Sequence, residues 1–498
     1  MTNHLSWRQS LLIYKDIRVI RLLVFGFSSG LPILLIFSTL SLWLKSAGID
    51  RGTITLFSWA GLAYSFKFLW APVIDKIPIN YLTHKFGHRR SWLIISQLSL
   101  ILLFISIGYV DPQNNLFLMA ILIVFIGFSS ATQDAMIDTF RIESAPEHLQ
   151  SAMSGTYIIG YRIGMIAAGA GSLMLASWFG GDNQVYNAHA WQKTYMIMGI
   201  LQSIGLLCCF MSPEPNSKRH LISNATDRLR LIIIFFISLS GLIIVFNIFP
   251  DWYAQDPFVN VLLKSIKFLS AFILIIFLFL ISIKMNFIKR SILTSTFSEP
   301  IKNFITRYGS MAIIILIIIG FYRVSDIVMG VVANLFYSDK GYTLNQIATF
   351  SKFWGLIATI LGGLVGGVLS SKYNNYLILL LGSILAAATN LLFALLVILE
   401  PKSIYLMIVI IADNISAGIA SVAFVAFLSS LTNTNFTTSQ YALFTSFMLF
   451  FPKLIGGYSG TIVDSLGYLN FFITTTLMGL PVIILILVFK DKLYKNKG

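Results

Sequence analysis

Two aspartates and an arginine lie at the end of a long apolar run. They are ionisable residues, and their spacing would let them act together inside a membrane. The run begins near Leu116, and Asp134, Asp138 and Arg141 stand at i, i+4 and i+7, so a helix would place them on one face. A charge in the hydrocarbon core costs at least about 2.5–3.5 kcal/mol, so these groups need partners or a hydrated cavity. The alternative is that Asp138 and Arg141 are solvated at the headgroup level.

Further ionisable residues fall inside apolar runs. Arg323 and Asp326 stand at i and i+3 and can pair within one helix. Large apolar residues follow Lys67, which favours a cavity-facing lysine over one that snorkels to the interface. Lys453 follows Pro452, so capping of the carbonyls freed by the proline is an alternative to a binding role. The candidates for contact with a solute are Lys67, Arg162, Arg323, Lys352, Asp413, Asn414, Gln440 and Lys453.

The composition is that of a polytopic membrane protein. The chain has 498 residues, of which 57% are hydrophobic and 11% charged, whereas a soluble domain has about 25% charged residues. The net charge of +15 comes mainly from cations in short loops between apolar runs, which indicates membrane topology and not a nucleic-acid groove. Cys208 and Cys209 are adjacent in an apolar run, so neither a disulfide framework nor a metal site is expected.

Apolar runs predict the membrane spans, because a helix of about 20 residues crosses the bilayer and satisfies its own backbone there. We predict about fourteen spans in an all-α protein. The first run is too long for the core of a signal peptide and should remain as a helix. Lysine and arginine are concentrated at both ends and in alternate loops, so both termini are predicted to be cytoplasmic. The predicted spans are 19–43, 53–74, 91–110, 116–140, 151–179, 193–212, 229–249, 258–285, 308–337, 345–370, 376–399, 403–431, 439–463 and 469–490.

Sparse matches indicate an internal repeat. A shift of 293 places Gly48 on Gly341, and a shift of 291 places Arg162 on Lys453. Equal spacing across six-helix halves of the same orientation predicts two parallel repeats, the two-bundle architecture of major facilitator transporters. The expected parts are a cytoplasmic N-terminus (1–18), an N-terminal bundle (19–212), central loops (213–307) with an inserted hairpin (229–249 and 258–285), a C-terminal bundle (308–490) and a cytoplasmic tail (491–498).

The repeat places Arg162 and Lys453 at matching height in matching helices. Two opposed cations repel unless an anion lies between them, and arginine can bind a carboxylate through two hydrogen bonds. We therefore expect an anionic solute. Acids in such a cavity can carry protons, because burial raises a carboxyl pKa and a nearby cation lowers it. The candidate proton carriers are Asp134, Asp138, Asp326 and Asp413, and the sequence does not choose among them.

The loop after the second predicted helix carries a separate signal. Asp75 ends that helix, and Gly87 with Arg89 and Arg90 precedes the next one. The excess of cations in cytoplasmic loops explains Arg89 and Arg90 but does not explain Asp75. We therefore expect Asp75, Arg89 and Arg90, together with Arg141, to gate conformational change through charge pairs.

Other chemistry is not predicted. The sequence has no phosphate-binding loop, no dinucleotide fingerprint and no metal-ligand spacing. We expect no enzyme activity, no cofactor, no metal and no ATPase subunit. Energy would come from the proton gradient.

Several motifs together resemble the AmpG muropeptide permeases of the major facilitator superfamily. The resemblance runs from about residue 19 to 490 and leaves the central hairpin outside. This chain departs from the family in that hairpin and in Asp413-Asn414, where family members have Glu-Asn. The stretches that carry the resemblance are Gly26-Phe27-Ser28-Ser29-Gly30-Leu31-Pro32, Phe66-Lys67-Phe68-Leu69-Trp70-Ala71-Pro72 with Asp75, Gly87-His88-Arg89-Arg90, Gln133-Asp134 with Asp138, Gly160-Tyr161-Arg162-Ile163-Gly164, Ala423-Phe424-Val425-Ala426 and Gln440-Tyr441-Ala442-Leu443.

The resemblance implies a permease of the bacterial inner membrane that imports anhydro-muropeptides built on N-acetylglucosamine and anhydro-N-acetylmuramic acid. It also implies proton-driven uptake for peptidoglycan recycling and, in some bacteria, for signalling of β-lactamase induction. The expected partners are this glycopeptide, protons and membrane lipid, with no nucleic acid, and the protein is expected to be a monomer.

Two other readings remain open. A carrier of another bulky anion such as acetyl-coenzyme A would use the same scaffold, since the eukaryotic acetyl-coenzyme A transporters distantly resemble the family. A non-transporting receptor or enzyme is the alternative from a different class. Acids at several depths argue against a receptor, and the lack of a catalytic constellation argues against an enzyme.

Overall fold

The structure, a computed structural model, is a helical membrane bundle. It describes residues 12–50, 53–54, 57, 62–181, 186–216, 221–248, 270, 273–456 and 459–495, with some side chains in these ranges left undescribed. Within these ranges all regular structure is helical. Parts of the predicted spans 53–74 and 258–285 lie outside the described residues.

Six main helices form the N-terminal half. The first of them continues beyond Phe37 as a short helix, Ser38–Ser46, and the fifth continues through a π-helical turn, Ala167–Gly171, into Ser172–Trp178. The six helices are α1 (Ile17–Ile36), α2 (Leu62–Lys76), α3 (His88–Gly108), α4 (Leu116–Ser144), α5 (Glu147–Ile166) and α6 (Ala188–Phe210).

The central segment and the C-terminal half follow. In the central segment the turns Arg290–Leu293, Thr294–Ser298 (π-helical) and Glu299–Tyr308 succeed one another without a break, and we call residues 290–308 the bridging helix. The other helices are α7 (Ala225–Ile248), α8 (Ile273–Lys284), α9 (Met311–Phe321), α10 (Val324–Asp339), α11 (Gly355–Lys372), α12 (Asn375–Ile398), α13 (Ser403–Leu431), α14 (Thr437–Gly456) and α15 (Ser459–Lys495).

Ten candidate spans among the described residues are long and apolar enough to cross a membrane. The predicted count of about fourteen is therefore not confirmed. Asparagine side chains start several of these helices by accepting a backbone N–H of the first turn, a common N-cap. Asn115 does so for α4, Asn187 for α6 and Asn374 for α12.

The predicted single helix at 308–337 is wrong in one respect. The chain forms α9 and α10 in succession, with Arg323 in a non-helical conformation between them (φ −100°, ψ 4°). A charged side chain therefore stands at a break in the middle of this span.

Glycines allow α1 and α5 to pack with their backbones in contact. A methyl group at Gly160 would lie 1.9 Å from the carbonyl oxygen of Leu23, and one at Gly30 would lie 2.1 Å from that of Tyr161. Small residues at such a crossing replace side-chain contact with backbone contact. This packing fixes the face of α1 that carries Ser29 against the face of α5 that carries Tyr157.

One end of the molecule carries the basic residues Lys76, Lys85, Arg89, Arg90 and Lys372, and we call it the basic end. Here α2 and α4 pack against α14, and α5 packs against α11 and α13. Six hydrogen bonds between described residues of the two halves lie toward this end. The halves are therefore closed against each other at the basic end.

The bridging helix lies across both halves. Its buried stripe is Leu293, Thr296, Pro300, Phe304 and Tyr308. Leu293 belongs to the hydrophobic core of the N-terminal half, whereas Phe304 and Tyr308 belong to that of the C-terminal half. The π-helical turn, Thr294–Ser298, falls between these two contacts, and such turns often mark functional positions.

Candidate functional site

Two buried acids on α4 share one lysine. Lys67 Nζ lies 3.9 Å from Asp138 Oδ2, and its charge also acts on Asp134. The Ser29 hydroxyl donates a hydrogen bond to Asp134, and Tyr157 Oη lies 2.9 Å from Ser29 Oγ. All three charged residues are less than 10% exposed. The predicted face of α4 thus meets α1, α2 and α5 in a polar site inside the N-terminal half.

Arg141 links this site to the other half. Its guanidinium is fully buried, and its Nη2 lies 3.5 Å from Asp138 Oδ1. It donates hydrogen bonds to Ser429 Oγ (2.8 Å) and to Tyr441 Oη (3.0 Å), which belong to α13 and α14. Ser154 accepts a further bond at 3.0 Å. The alternative that Asp138 and Arg141 are solvated at the headgroup level is therefore wrong, because the two helices from the other half cover them.

A second charged cluster, which we call the latch, consists of Asp75, Arg89, Glu143 and Thr438. Arg89 Nη1 lies 2.6 Å from Asp75 Oδ1, and its Nη2 and Nε bond the two oxygens of Glu143 at 2.8 and 3.2 Å. Thr438 of α14 donates to Asp75 at 3.0 Å. Thr139, one helical turn below Glu143, donates to Thr438 at 3.1 Å. The latch thus joins three helices of one half to the first turn of α14.

Arg90 has a different role from its neighbour. It donates hydrogen bonds to the carbonyls of Cys209 and Phe210 and so caps the end of α6. Glu214 accepts the backbone N–H groups of Arg89 and Arg90 at 2.9 and 3.0 Å, at the N-terminus of α3 where a carboxylate is favoured. Gly87 has a φ of 87° and leaves room for Glu214, since a methyl group there would lie 2.3 Å from its Cγ. Together these contacts orient Arg89 toward Asp75.

The C-terminal half has its own ion pair at the break between α9 and α10. Arg323 Nη2 lies 2.5 Å from Asp326 Oδ2, the i, i+3 pairing expected from the sequence. Arg323 also donates to Ser421 Oγ at 2.6 Å. The charge of Asp326 acts on Asp413, whose Oδ1 accepts a hydrogen bond from Thr389 at 3.1 Å.

Arg162 approaches this pair from the other half. Arg162 lies on α5, and its charge interacts with the charges of both Arg323 and Asp326. Its described hydrogen bond goes to Met165 Sδ at 3.7 Å, and thioether sulfur is a weak acceptor. Lys453 is exposed on α14. Arg162 lies fifteen residues into α5 and Lys453 sixteen into α14, so both are roughly 22–24 Å from the basic end by helical rise.

The remaining candidates are more scattered. The Asn414 side chain accepts a hydrogen bond from Thr359 and donates one to the Ile410 carbonyl, inside the contact of α11 with α13. Gln440 is buried and donates to the Pro300 carbonyl at 2.8 Å, so it joins α14 to the bridging helix, apart from the charged clusters. Lys352 lies in a π-helical turn, Ala348–Trp354, and its side chain is outside the described residues.

Sequence reasoning missed the partners that complete these clusters. Glu143 ends the same helix as Asp138 and was a detectable acid, but its pairing with Arg89 needs the fold. Ser29 and Tyr441 lie in stretches that carry the AmpG resemblance, but nothing in the sequence assigns them as partners of these charges. Ser429 and Thr438 are single hydroxyl residues among many, and nothing in their local sequence sets them apart.

Comparison of the sequence with known families and proteins identifies its relatives. The family model of the Major Facilitator Superfamily matches residues 22–456. The AmpG 4 protein of Rickettsia felis is 30% identical over 480 residues, covering 96% of this chain and 98% of that protein. The AmpG 1 protein of Rickettsia bellii is 31% identical, covering 94% and 97%. The anhydromuropeptide permease of Escherichia coli K12 is 28% identical, covering 97% of this chain and 82% of its own length.

Solved structures share the fold. The proton:xylose symporter XylE matches with a TM-score of 0.60 at 11% identity, covering 96% of this chain and 95% of XylE. The transporter FucP in the outward conformation matches with a TM-score of 0.58 at 12% identity, covering 95% and 98%. With the family model and the full-length relatives, these similarities establish a multi-pass membrane transporter for a small molecule, and not an enzyme. The chain belongs to the AmpG family of the major facilitator superfamily.

Proposed function

We propose that this protein imports anhydro-muropeptides across the bacterial inner membrane in symport with protons and so supplies peptidoglycan recycling. The name of the Escherichia coli relative, an anhydromuropeptide permease, supports the solute. The observation that carries the proposal is a half-buried Arg162 whose hydrogen bond, among the described residues, goes to a weak acceptor and whose charge interacts with a charged pair in the opposite half.

The positive-inside rule supports placing the basic end in the cytoplasm, with both termini on that side. In that orientation the halves are closed toward the cytoplasm by the latch and by Arg141. A solute would then reach Arg162 from the outside. Transport requires these contacts to open after the solute has bound, as alternating access demands.

Arg162 is the group best suited to bind the acidic peptide stem. Asp326 already neutralises Arg323 at 2.5 Å, whereas the described contacts of Arg162 include no carboxylate at hydrogen-bond distance. A planar guanidinium in a partly dry site binds a carboxylate through two strong hydrogen bonds. The solute would thus supply the missing anion between the two halves.

The acid pair on α4 is the proposed proton site. Two carboxylates, Asp134 and Asp138, share Lys67 in a buried site, and a second uncompensated charge there is costly. A proton bound by this acid pair would remove one negative charge and weaken the ion pair between Asp138 and Arg141. Since Arg141 also holds Ser429 and Tyr441, protonation and closure of the cytoplasmic end would be linked.

Uptake into proteoliposomes tests the solute and the role of Arg162. Labelled anhydro-muropeptide should accumulate under an inward proton gradient, and Arg162→Ala should lower the initial rate by at least about tenfold, or about 1.4 kcal/mol. Arg162→Lys, which keeps the charge but not the planar fork, should retain part of the rate.

Two outcomes would contradict the proposal. The Arg162→Ala protein, folded by its elution profile, could transport at the normal rate, and the binding role would then be wrong. Labelled acetyl-coenzyme A, supplied in parallel, could accumulate while the muropeptide does not. The family would then predict the fold but not the solute.

A further inference from the structure

The bridging helix has an outward face that the bundle does not cover. Ile301 and Ile305 stand one turn apart and are 46% and 51% exposed, while the preceding residues Pro300 and Phe304 lie on the adjacent, buried flank of the helix. Lys302 is exposed beside the two isoleucines, and Arg290 is exposed at the start of the helix. This outward face therefore combines apolar side chains with two cations and one exposed acid, Glu299, so cations outnumber acids on it.

The chain around the helix places that face at the boundary of the membrane. Gly309 has a φ of 53° and turns the chain between the bridging helix and the apolar span that begins at Met311. The helix therefore departs from the axis of that span and lies across the basic end, over α2 and α14. Immediately before it, Met285 is 74% exposed next to an exposed Lys284.

We propose that the outward face of the bridging helix binds the headgroup layer of anionic phospholipid. Ile301 and Ile305 would enter the acyl boundary, and Lys302 and Arg290 would contact phosphates. An amphipathic helix with this division of residues lies in the plane of the interface. Each cation near an anionic membrane surface adds to the attraction. Charge complementarity thus selects anionic over zwitterionic lipid.

This contact would bear on closure of the basic end. The inward face of the same helix holds both halves, through Leu293 on one side and Phe304 on the other. Gln440, two residues beyond the latch residue Thr438, donates to the carbonyl of Pro300. Lipid bound outside therefore acts on the helix that spans the latch, a role independent of which solute is carried.

Thermal unfolding of the full-length protein in detergent tests the lipid preference. Phosphatidylglycerol should raise the Tm more than phosphatidylcholine does at equal concentration. Arg290→Glu with Lys302→Glu should abolish this difference. Lys85→Glu, which reverses an exposed cation of the same end outside the bridging helix, should leave it intact. An unchanged difference in the double variant would overturn the proposal.

A second measurement covers the case in which the double variant does not fold. Ile305→Cys, in a protein with both native cysteines replaced by serine, is labelled with an environment-sensitive fluorophore in vesicles. The emission should shift to the blue, and quenchers placed at the acyl boundary should reduce it more than water-soluble quenchers do. A fully water-exposed label at residue 305 in vesicles containing phosphatidylglycerol would likewise overturn the proposal.

Discussion

At the scale of single residues, Arg141 and Asp138 show how buried charges are balanced in this protein. Arg141 is fully buried, and a buried guanidinium is costly unless its charge is balanced; its Nη1 and Nη2 are hydrogen-bonded, whereas its Nε has no partner among the described residues. It meets one carboxylate and three hydroxyl groups, two of them from the other half. The same carboxylate lies 3.9 Å from Lys67. A change in the charge of Asp138 therefore alters its interactions with Lys67 and Arg141, and through Arg141 it affects the contacts between the two halves.

Asp138→Asn should separate solute binding from proton coupling. The amide keeps the shape of the side chain but holds no negative charge for Lys67 and Arg141. We expect accumulation driven by a proton gradient to fall at least about tenfold, roughly 1.4 kcal/mol, while exchange of labelled for unlabelled solute continues.

The measurement compares gradient-driven uptake with exchange in the same proteoliposomes. Asp227→Asn is the matched control, because Asp227 pairs with Lys289 away from the charged clusters. Equal loss of both activities in Asp138→Asn would show that Asp138 serves binding or folding and not coupling.

The sequence predicts the charged residues better than their partners. Asp134, Asp138 and Arg141 are readable as one helical face, because helical spacing and the cost of charge in lipid need no tertiary information. Glu143 pairs with a residue 54 positions earlier, and Tyr441 with one 300 positions earlier. Such pairs depend on which helices become neighbours, and a single sequence does not contain that information.

At the scale of helices, the first turn of α14 closes the basic end against α2 and α4. Thr438 contacts Asp75 and Thr139 together, and their hydroxyl and carboxylate oxygens lie 3.0–3.1 Å away. These contacts are polar, so they suit an interface that must form and break during a cycle.

A disulfide across this contact should stop the cycle. Thr139→Cys with Thr438→Cys, in a background with Cys208 and Cys209 replaced by serine, places two thiols where the hydroxyl oxygens lie 3.1 Å apart. Oxidation should abolish uptake, and a reductant should restore it, as measured by transport before and after treatment. Each single cysteine variant should be insensitive to oxidant. Full transport by the verified disulfide form would show that this contact need not open.

The crossing of α1 and α5 gives a prediction about stability. Gly160→Ala would force a methyl group to 1.9 Å from the Leu23 carbonyl, so the helices must move apart. Overpacking of this kind costs about 1–3 kcal/mol, and the Tm in detergent should fall accordingly. Gly171→Ala is the control, since its nearest neighbour would lie 3.8 Å away. An unchanged Tm in Gly160→Ala would mean that the helices do not pack this closely.

Helix positions were predictable, but their interruptions were not. Apolar length places most spans, because lipid requires a continuous apolar helix. Neither proline nor glycine stands at position 323 to predict the break. The i, i+3 pairing of Arg323 with Asp326 is also compatible with an unbroken helix. The sequence predicts central loops where the bridging helix lies, because this helix is too polar on one face to resemble a membrane span.

At the scale of the whole molecule, the two halves meet where the charges are densest. The acid pair, Arg141 and the latch form a continuous polar path through the N-terminal half to the closed basic end. The ion pair of the C-terminal half faces Arg162 farther from that end. This separation suits a carrier in which solute and proton bind at different sites and share one closure. An internal repeat predicted the two halves, but not that they would be closed at this end.

A solute gradient that drives proton movement would be direct evidence that this protein couples the two. Proteoliposomes containing a pH-sensitive dye, with no proton gradient at the start, receive anhydro-muropeptide outside. The interior should acidify as solute enters, Asp134→Asn and Asp138→Asn should abolish the acidification, and Asp227→Asn should leave it intact. Solute entry without any change of internal pH in the wild-type protein would show that the buried acids have no part in driving transport.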